Sequence, residues 1–204
     1  MSEPKNKFTP SPACATRKTP SGRKDKAGRA AAAKGLVIVI TGKGKGKTTA
    51  AFGQALRAVG QGYKVFVVQF MKGRKYGEFK AIKKYLPAIT VRLSGLDSFV
   101  MRGSPAPVDI ELALQGFALA KKAIASGKYN MVILDEINVA VDFKLIPLRD
   151  VADLIKNKPP GLDLILTGRY AAKEIIRLAD TVSEVKEVKH HYAAGIKDRS
   201  GIEY

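Results

Sequence analysis

The chain has 204 residues, 46% of them hydrophobic, and 36 Lys and Arg against 18 Asp and Glu, a formal net charge of +18. That hydrophobic share is ordinary for a folded domain and excludes a wholly disordered chain. A single cysteine, Cys14, excludes an intrachain disulfide, and no apolar run approaches the roughly 20 residues that span a bilayer.

Residues 1–34 carry nine Lys or Arg against Glu3 and Asp25, so +7 of the charge lies there and +11 in the rest. The segment has four prolines and no Val, Ile, Leu, Trp or Tyr. It cannot bury enough apolar surface to offset its ordering entropy, and it reads as a disordered basic tail preceding a domain over 35–204. Residues 27–34 have the propensity for a short helix, marginal in isolation. The absence of an apolar core in the tail argues against a classical signal peptide, and the expected location is the cytoplasm. Its acid-poor, Arg- and Ser-containing composition also matches a transit peptide, and a third reading is that it orders over a ligand.

From Gly35 the pattern becomes that of a folded domain. Val37–Ile40 is a β-branched run suited to a strand buried on both faces. Residues 47–59 place Phe52, Ala55, Leu56 and Val59 at helical spacing, closed by Gly60 and Gly62. Val65–Val68 reads as a second strand, 77–85 as a short helix, and Ile89–Leu93 as a third strand. Ile110, Ala113, Leu114, Phe117, Ala120 and Ile124 mark a long helix ending at Gly127. Met131–Leu134 is a fourth strand. Pro147 opens a helix that Pro159-Pro160 ends. Leu162–Leu166 is a fifth strand, 171–179 a helix, and 181–189 a last strand. This alternation predicts an α/β fold with a mainly parallel sheet, helices on both faces, and a ligand site at the carboxyl ends of the strands.

The unusual residues cluster at those ends. After the first strand comes Thr41-Gly42-Lys43-Gly44-Lys45-Gly46-Lys47-Thr48-Thr49, then a helix. The phosphate-loop pattern G-x-x-x-x-G-K-[ST] fails only at Thr41, which stands in the place of its first glycine. Alternating glycines permit positive φ and close approach of backbone N–H groups to phosphate oxygens, and the helix N-terminus favours anions. Lys47 supplies a fixed cation, and the Thr48 hydroxyl suits Mg²⁺. Ile133-Leu134-Asp135-Glu136 ends the fourth strand with an acidic pair, the Walker-B arrangement. Thr167-Gly168-Arg169 puts an arginine at the same edge, where it can hold phosphate or ribose. His190 and His191 point to opposite faces if extended and make a poor metal pair. Asn157-Lys158-Pro159-Pro160 lacks the Asp of a guanine-reading N-K-x-D, which argues against a GTPase. There is no Ser/His/Asp or Cys/His constellation.

Taken together, TGKGKGKTTAAFG over 41–53, VQFMKG over 68–73, LDEI over 134–137, TGR over 167–169 and KHHYAAGIKDRSGIEY over 189–204 resemble one family. It is the phosphate-loop-type cob(I)alamin (corrinoid) adenosyltransferase family, CobA/BtuR. The resemblance runs from about Gly35 to the end of the chain. It implies a RecA-like phosphate-loop fold, a homodimer, and Mg²⁺-ATP-dependent transfer of the 5′-deoxyadenosyl group to the cobalt of a corrinoid, with triphosphate leaving. It also implies a nucleotide lying in the reverse sense from ordinary ATPases, and an electron donor such as a reduced flavoprotein to supply Co(I).

Carried onto this chain, the resemblance gives ATP to Gly42, Lys43, Gly44, Lys45, Gly46, Lys47, Thr48, Thr49 and Arg169. The metal falls to Thr48 and Glu136, with Asp135 as neighbour. Lys47, Thr48 and Glu136 are the expected catalytic groups. The family carries a G-x-G-F-T-W segment after the third strand. Here the segment reads Ser94-Gly95-Leu96-Asp97-Ser98-Phe99-Val100, and Phe99 is its aromatic counterpart against the corrinoid. The competing reading is a RecA-like ATPase or nucleic-acid-binding module, which the charge favours. The lack of an aromatic-interleaved basic stretch speaks against nucleic acid.

Overall fold

A computed structural model describes residues 34–98 and 100–203. The expectations placed on residues 1–33 and on Phe99 therefore lie outside the described residues. The elements in chain order are β1 (Val37–Thr41), α1 (Lys47–Gly60), β2 (Val65–Phe70), α2 (Gly77–Tyr85), β3 (Ile89–Ser94), α3 (Pro107–Ala125), β4 (Met131–Asp135), α4 (Ile137–Asp142), α5 (Leu148–Asn157), β5 (Asp163–Thr167), α6 (Lys173–Leu178) and β6 (Thr181–Glu184). A 3₁₀ turn follows at His191–Ala194.

The strands form one sheet in the order β3-β2-β4-β5-β1-β6, and every pair is parallel. β2 and β4 are buried at every position, as strands covered on both faces must be. Alternate side chains feed two cores. Val37 and Val39, Val68 and Phe70, Leu164 and Leu166 meet α3, α4, α5 and α6 on one face. Ile40, Val65, Val67, Ile133 and Ile165 meet α1 and α2 on the other. The expected α/β class, with helices on both faces, is the fold found. No helix among the described residues is long and apolar enough to cross a membrane.

The departures from expectation are local. α4 was not anticipated, because six residues straight after a strand are too short to display a helical apolar period. α3 begins at Pro107, which its fixed φ suits to the first helical turn. Leu56 and Leu114, expected on buried faces, are 56% and 44% exposed. α1 instead meets the sheet through Ala51, Ala55 and Ala58, with Phe52 and Val59 at the flanks. The strand expected over 181–189 is confined to Thr181–Glu184. Beyond it the chain turns onto the loop after β1: Val185 N–H donates to Thr41 O and Gly44 N–H to Val185 O, each at 2.8 Å.

Candidate active site

The loop between β1 and α1 owes its shape to glycines used in two different ways. Gly42 and Gly44 lie against the chain descending from β6. A Cβ on Gly44 would stand 2.7 Å from the carbonyl carbon of Lys186, and one on Gly42 would strike the backbone of Val185. Gly46 faces open space but has φ +114°, a conformation that L side chains rarely adopt. It caps α1, whose first N–H groups have no acceptor within the helix. That end of the helix is suited to an anion.

Lys47 opens α1 and is buried to 7% exposure. Its Nζ curls back to donate to Gly44 O at 2.6 Å. Burial pushes its pKa below the usual lysine range, against the pull of Glu136 and Asp135 and aided by the charge of Arg169. Lys43 and Thr49 are exposed at the loop surface. Lys45 is engaged by the C-terminal segment: its Nζ donates to Ile202 O at 2.7 Å and lies 3.3 Å from Glu203 Oε1.

Three strand ends and α1 meet at Asp135, which is fully buried. Its Oδ1 accepts from Thr48 Oγ1 at 2.9 Å and from Thr167 Oγ1 at 2.6 Å. Its Oδ2 accepts from Gln69 Nε2 at 3.0 Å and from Lys72 Nζ at 2.8 Å. Burial alone would raise the Asp135 pKa. The charge of Lys72 and the hydrogen bonds from Lys72, Thr167 and Gln69 outweigh it and hold the carboxyl below its ordinary range.

Glu136 is the opposite case. It caps α4 with φ +63°, a left-handed conformation that costs a non-glycine residue about 1–2 kcal/mol. Its N–H donates to Thr167 Oγ1 at 3.0 Å. The carboxyl lies over Gly168, where a Cβ would come within 3.2 Å of Oε2. Burial, and then the charge of Asp135, push its pKa upward. Arg169 is exposed in the next position, and its positive charge acts on both Lys47 and Glu136.

Two cavities open on this cluster. One, of about 570 Å³, is bounded by the loop between β1 and α1, Phe52 and Glu78. The other, of about 520 Å³, is bounded by Met71, Leu96, Val139 and Phe143 among others. Lys72, Tyr76, Glu136 and Glu203 line both. Segment 94–98, where the corrinoid side was expected, contributes Leu96, Asp97 and Ser98 to the second cavity.

The structure thus brings Lys47, Thr48, Asp135, Glu136 and Arg169 together as expected. It adds Gln69, Lys72, Thr167 and Glu203, which lie in segments that carry the family resemblance but received no individual site role from it. A polar Gln69 within an otherwise apolar buried strand was the available signal. The two histidines do not diverge. The chain coils at that point, their rings stack at 4.5 Å, and His191 Nε2 lies 3.5 Å from Glu203 Oε1.

The family model for "ATP:corrinoid adenosyltransferase BtuR/CobO/CobP" matches residues 33–204. The chain is 40% identical to a corrinoid adenosyltransferase of Escherichia coli strain K12 over 172 residues, covering 84% of this chain and 86% of that one. It is 39% identical, with the same coverage, to the corrinoid adenosyltransferase CobA of Salmonella typhimurium. It is 36% identical to a corrinoid adenosyltransferase of a Sinorhizobium species, covering 84% and 81%. With the glycine-rich loop after β1 and the acidic end of β4 converging where those matches run, the chain belongs to the ATP:corrinoid adenosyltransferase BtuR/CobO/CobP family.

Proposed function

We propose that the chain transfers the 5′-deoxyadenosyl group of ATP to the Co(I) centre of a corrinoid, with the nucleotide in the cavity beside the phosphate loop and the corrinoid in its neighbour. The observation that carries this reading is the wall the two cavities share. A transfer between two bulky substrates needs their reacting atoms to meet at one boundary.

In this reading the Co(I) electron pair forms a cobalt–carbon bond to C5′. The C5′–O bond breaks, and its pair leaves on the triphosphate oxygen. No proton moves at carbon, so no general base is required. The protein holds the triphosphate with loop N–H groups, Lys47 and Arg169, whose charges compensate the leaving group.

The oxygen donors Thr48 Oγ1 and the Glu136 carboxylate suit a hard cation such as Mg²⁺, with Asp135 fixing the threonine hydroxyl from behind. When bound, such a cation supplies charge neutralisation on the phosphates. By the same family reading the enzyme acts as a cytoplasmic homodimer served by an electron donor such as a reduced flavoprotein.

The deciding assay incubates the protein with Mg²⁺-ATP and a chemically reduced corrinoid and identifies the products. Triphosphate and a light-sensitive adenosylcorrinoid are expected in equal amounts. ADP and phosphate, formed whether or not corrinoid is present, would sink the reading.

A further inference from the structure

Lys72 follows β2 at the rim of both cavities, with its side chain 19% exposed. Its Nζ stands 2.8 Å from Asp135 Oδ2 and 3.4 Å from Thr48 Oγ1. Thr48 gives its hydroxyl hydrogen to Asp135, so the oxygen facing Lys72 presents lone pairs. An ammonium ion thus already sits where the lone pairs of Thr48 and a carboxylate oxygen of Asp135 converge. Those are the features a divalent cation at this loop would seek. Two cations cannot share that position, because in a partly buried site their repulsion is poorly screened.

Lys72 lines the wall shared by the cavities, and its Nζ lies 5.8 Å from the centroid of the Tyr76 ring. Glu136 and Glu78, whose charges also reach Lys72, line the nucleotide cavity. The 2.8 Å ion pair with the Asp135 carboxylate holds the ammonium at this position.

We propose that Lys72 is an exchangeable counter-ion: without nucleotide it neutralises Asp135, it yields its position beside the Thr48 oxygen to the divalent cation arriving with the nucleotide, and it then turns its ammonium to the phosphate chain. This rests on the nucleotide assignment made above but not on the fate of the adenosyl group. It gives Lys72 two effects of opposite sign. It opposes the cation alone and supports the cation–phosphate complex.

The test uses the full chain, without corrinoid, and compares the wild type with Lys72→Met and Lys72→Gln. Mn²⁺ binding without nucleotide is followed by electron paramagnetic resonance, and tripolyphosphate binding is then measured at saturating Mn²⁺. Both variants are expected to bind Mn²⁺ alone about tenfold more tightly and Mn²⁺-tripolyphosphate about tenfold more weakly. A merely structural lysine would weaken both. Mn²⁺ affinity that is unchanged or lower in a folded variant overturns the proposal, and so does unaltered tripolyphosphate affinity.

A measurement on the wild type stands even if both variants unfold. Reductive methylation of Lys72, followed by mass spectrometry, is expected to accelerate when Mn²⁺ saturates the site. Equal labelling with and without Mn²⁺ overturns the exchange. No corrinoid enters these experiments, so a failed transferase assay would leave their outcome readable.

Discussion

The Thr48 hydroxyl donates to Asp135 Oδ1 over 2.9 Å and so ties the first turn of α1 to the end of β4. β5 lies between the strands concerned, and its Thr167 donates to the same oxygen at 2.6 Å. The carboxylate thereby fixes both which way the Thr48 hydrogen points and which way its lone pairs face. Thr48→Val keeps the shape and removes both functions. It should lower kcat/KM at least about 100-fold through lost cation and phosphate stabilisation. It should also cost roughly 1–3 kcal/mol of stability by leaving a buried acceptor short of a donor. Thr48→Ser restores the hydroxyl and should remain within about tenfold of wild type. Steady-state kinetics and thermal melts on the three proteins check this; a valine variant with wild-type turnover would remove Thr48 from the site.

The pKa values of the adjacent carboxyls are pushed in opposite directions, and stability should record it. Asp135 is held below its ordinary value of 3.8, so its contribution is present above the unfolded pKa and is lost as pH falls through the folded one. Glu136 is raised above 4.5, so the folded state binds its proton more tightly than the unfolded chain. Stability from that group is present below the unfolded pKa and is lost as pH rises through the folded one. Glu136→Gln should therefore match wild type in acid and become the more stable protein as pH climbs to neutral, while transferring adenosyl at least about 100-fold more slowly. Denaturant melts across pH separate the cases. A stability gap that closes with rising pH would reverse the assigned shift.

Much of this site is legible in the chain because its parts follow strands. Thr41–Thr49 and Leu134–Glu136 each come straight after an apolar run, and a parallel sheet must bring such ends to one edge. Arg169 is placed by the same logic. The residues that escape are those whose role depends on register. Gln69 and Lys72 reach Asp135 only because β2 pairs with β4 so that Gln69 stands opposite Asp135. Glu203 approaches Lys45 from 158 positions along the chain, a pairing that its own segment does not reveal. The glycine run shows the same limit. It signals a tight loop between β1 and α1, yet Gly42 and Gly44 answer to a neighbouring backbone that periodicity does not reveal.

Arg169 is exposed yet its charge is felt at Lys47 and Glu136. Its ordinary structural contribution is small, so its removal isolates its effect on the ligand. Arg169→Ala should weaken ATP binding about tenfold, as loss of one charge-assisted contact does, and should leave the melting temperature nearly unchanged. Isothermal titration with ATP reads the first and a thermal melt the second. An unaltered ATP affinity would make Arg169 a surface residue without a part in the site.

Two glycine substitutions should part company although both lie in the phosphate loop. In Gly44→Ala the new methyl must displace the backbone of Lys186, which is not the yielding end of a side chain. Overpacking of that kind costs typically about 1–3 kcal/mol, and the segment that gives way is the one anchored by Gly44 N–H on Val185 O. Gly46→Ala meets no atom within 4 Å, but its φ of +114° strains any side chain. The distortion there falls on the N-terminus of α1 and on Lys47, the residue next in line. Gly44→Ala should therefore speed amide hydrogen exchange over residues 185–189 with a modest loss of nucleotide affinity. Gly46→Ala should leave that exchange near wild type and weaken ATP binding by an order of magnitude or more, since it disturbs the α1 N–H groups proposed to meet the phosphates. Hydrogen-exchange mass spectrometry paired with ATP titration distinguishes them. Equal exchange at 185–189 in Gly44→Ala and wild type would show that the loop and the chain beyond β6 do not depend on one another.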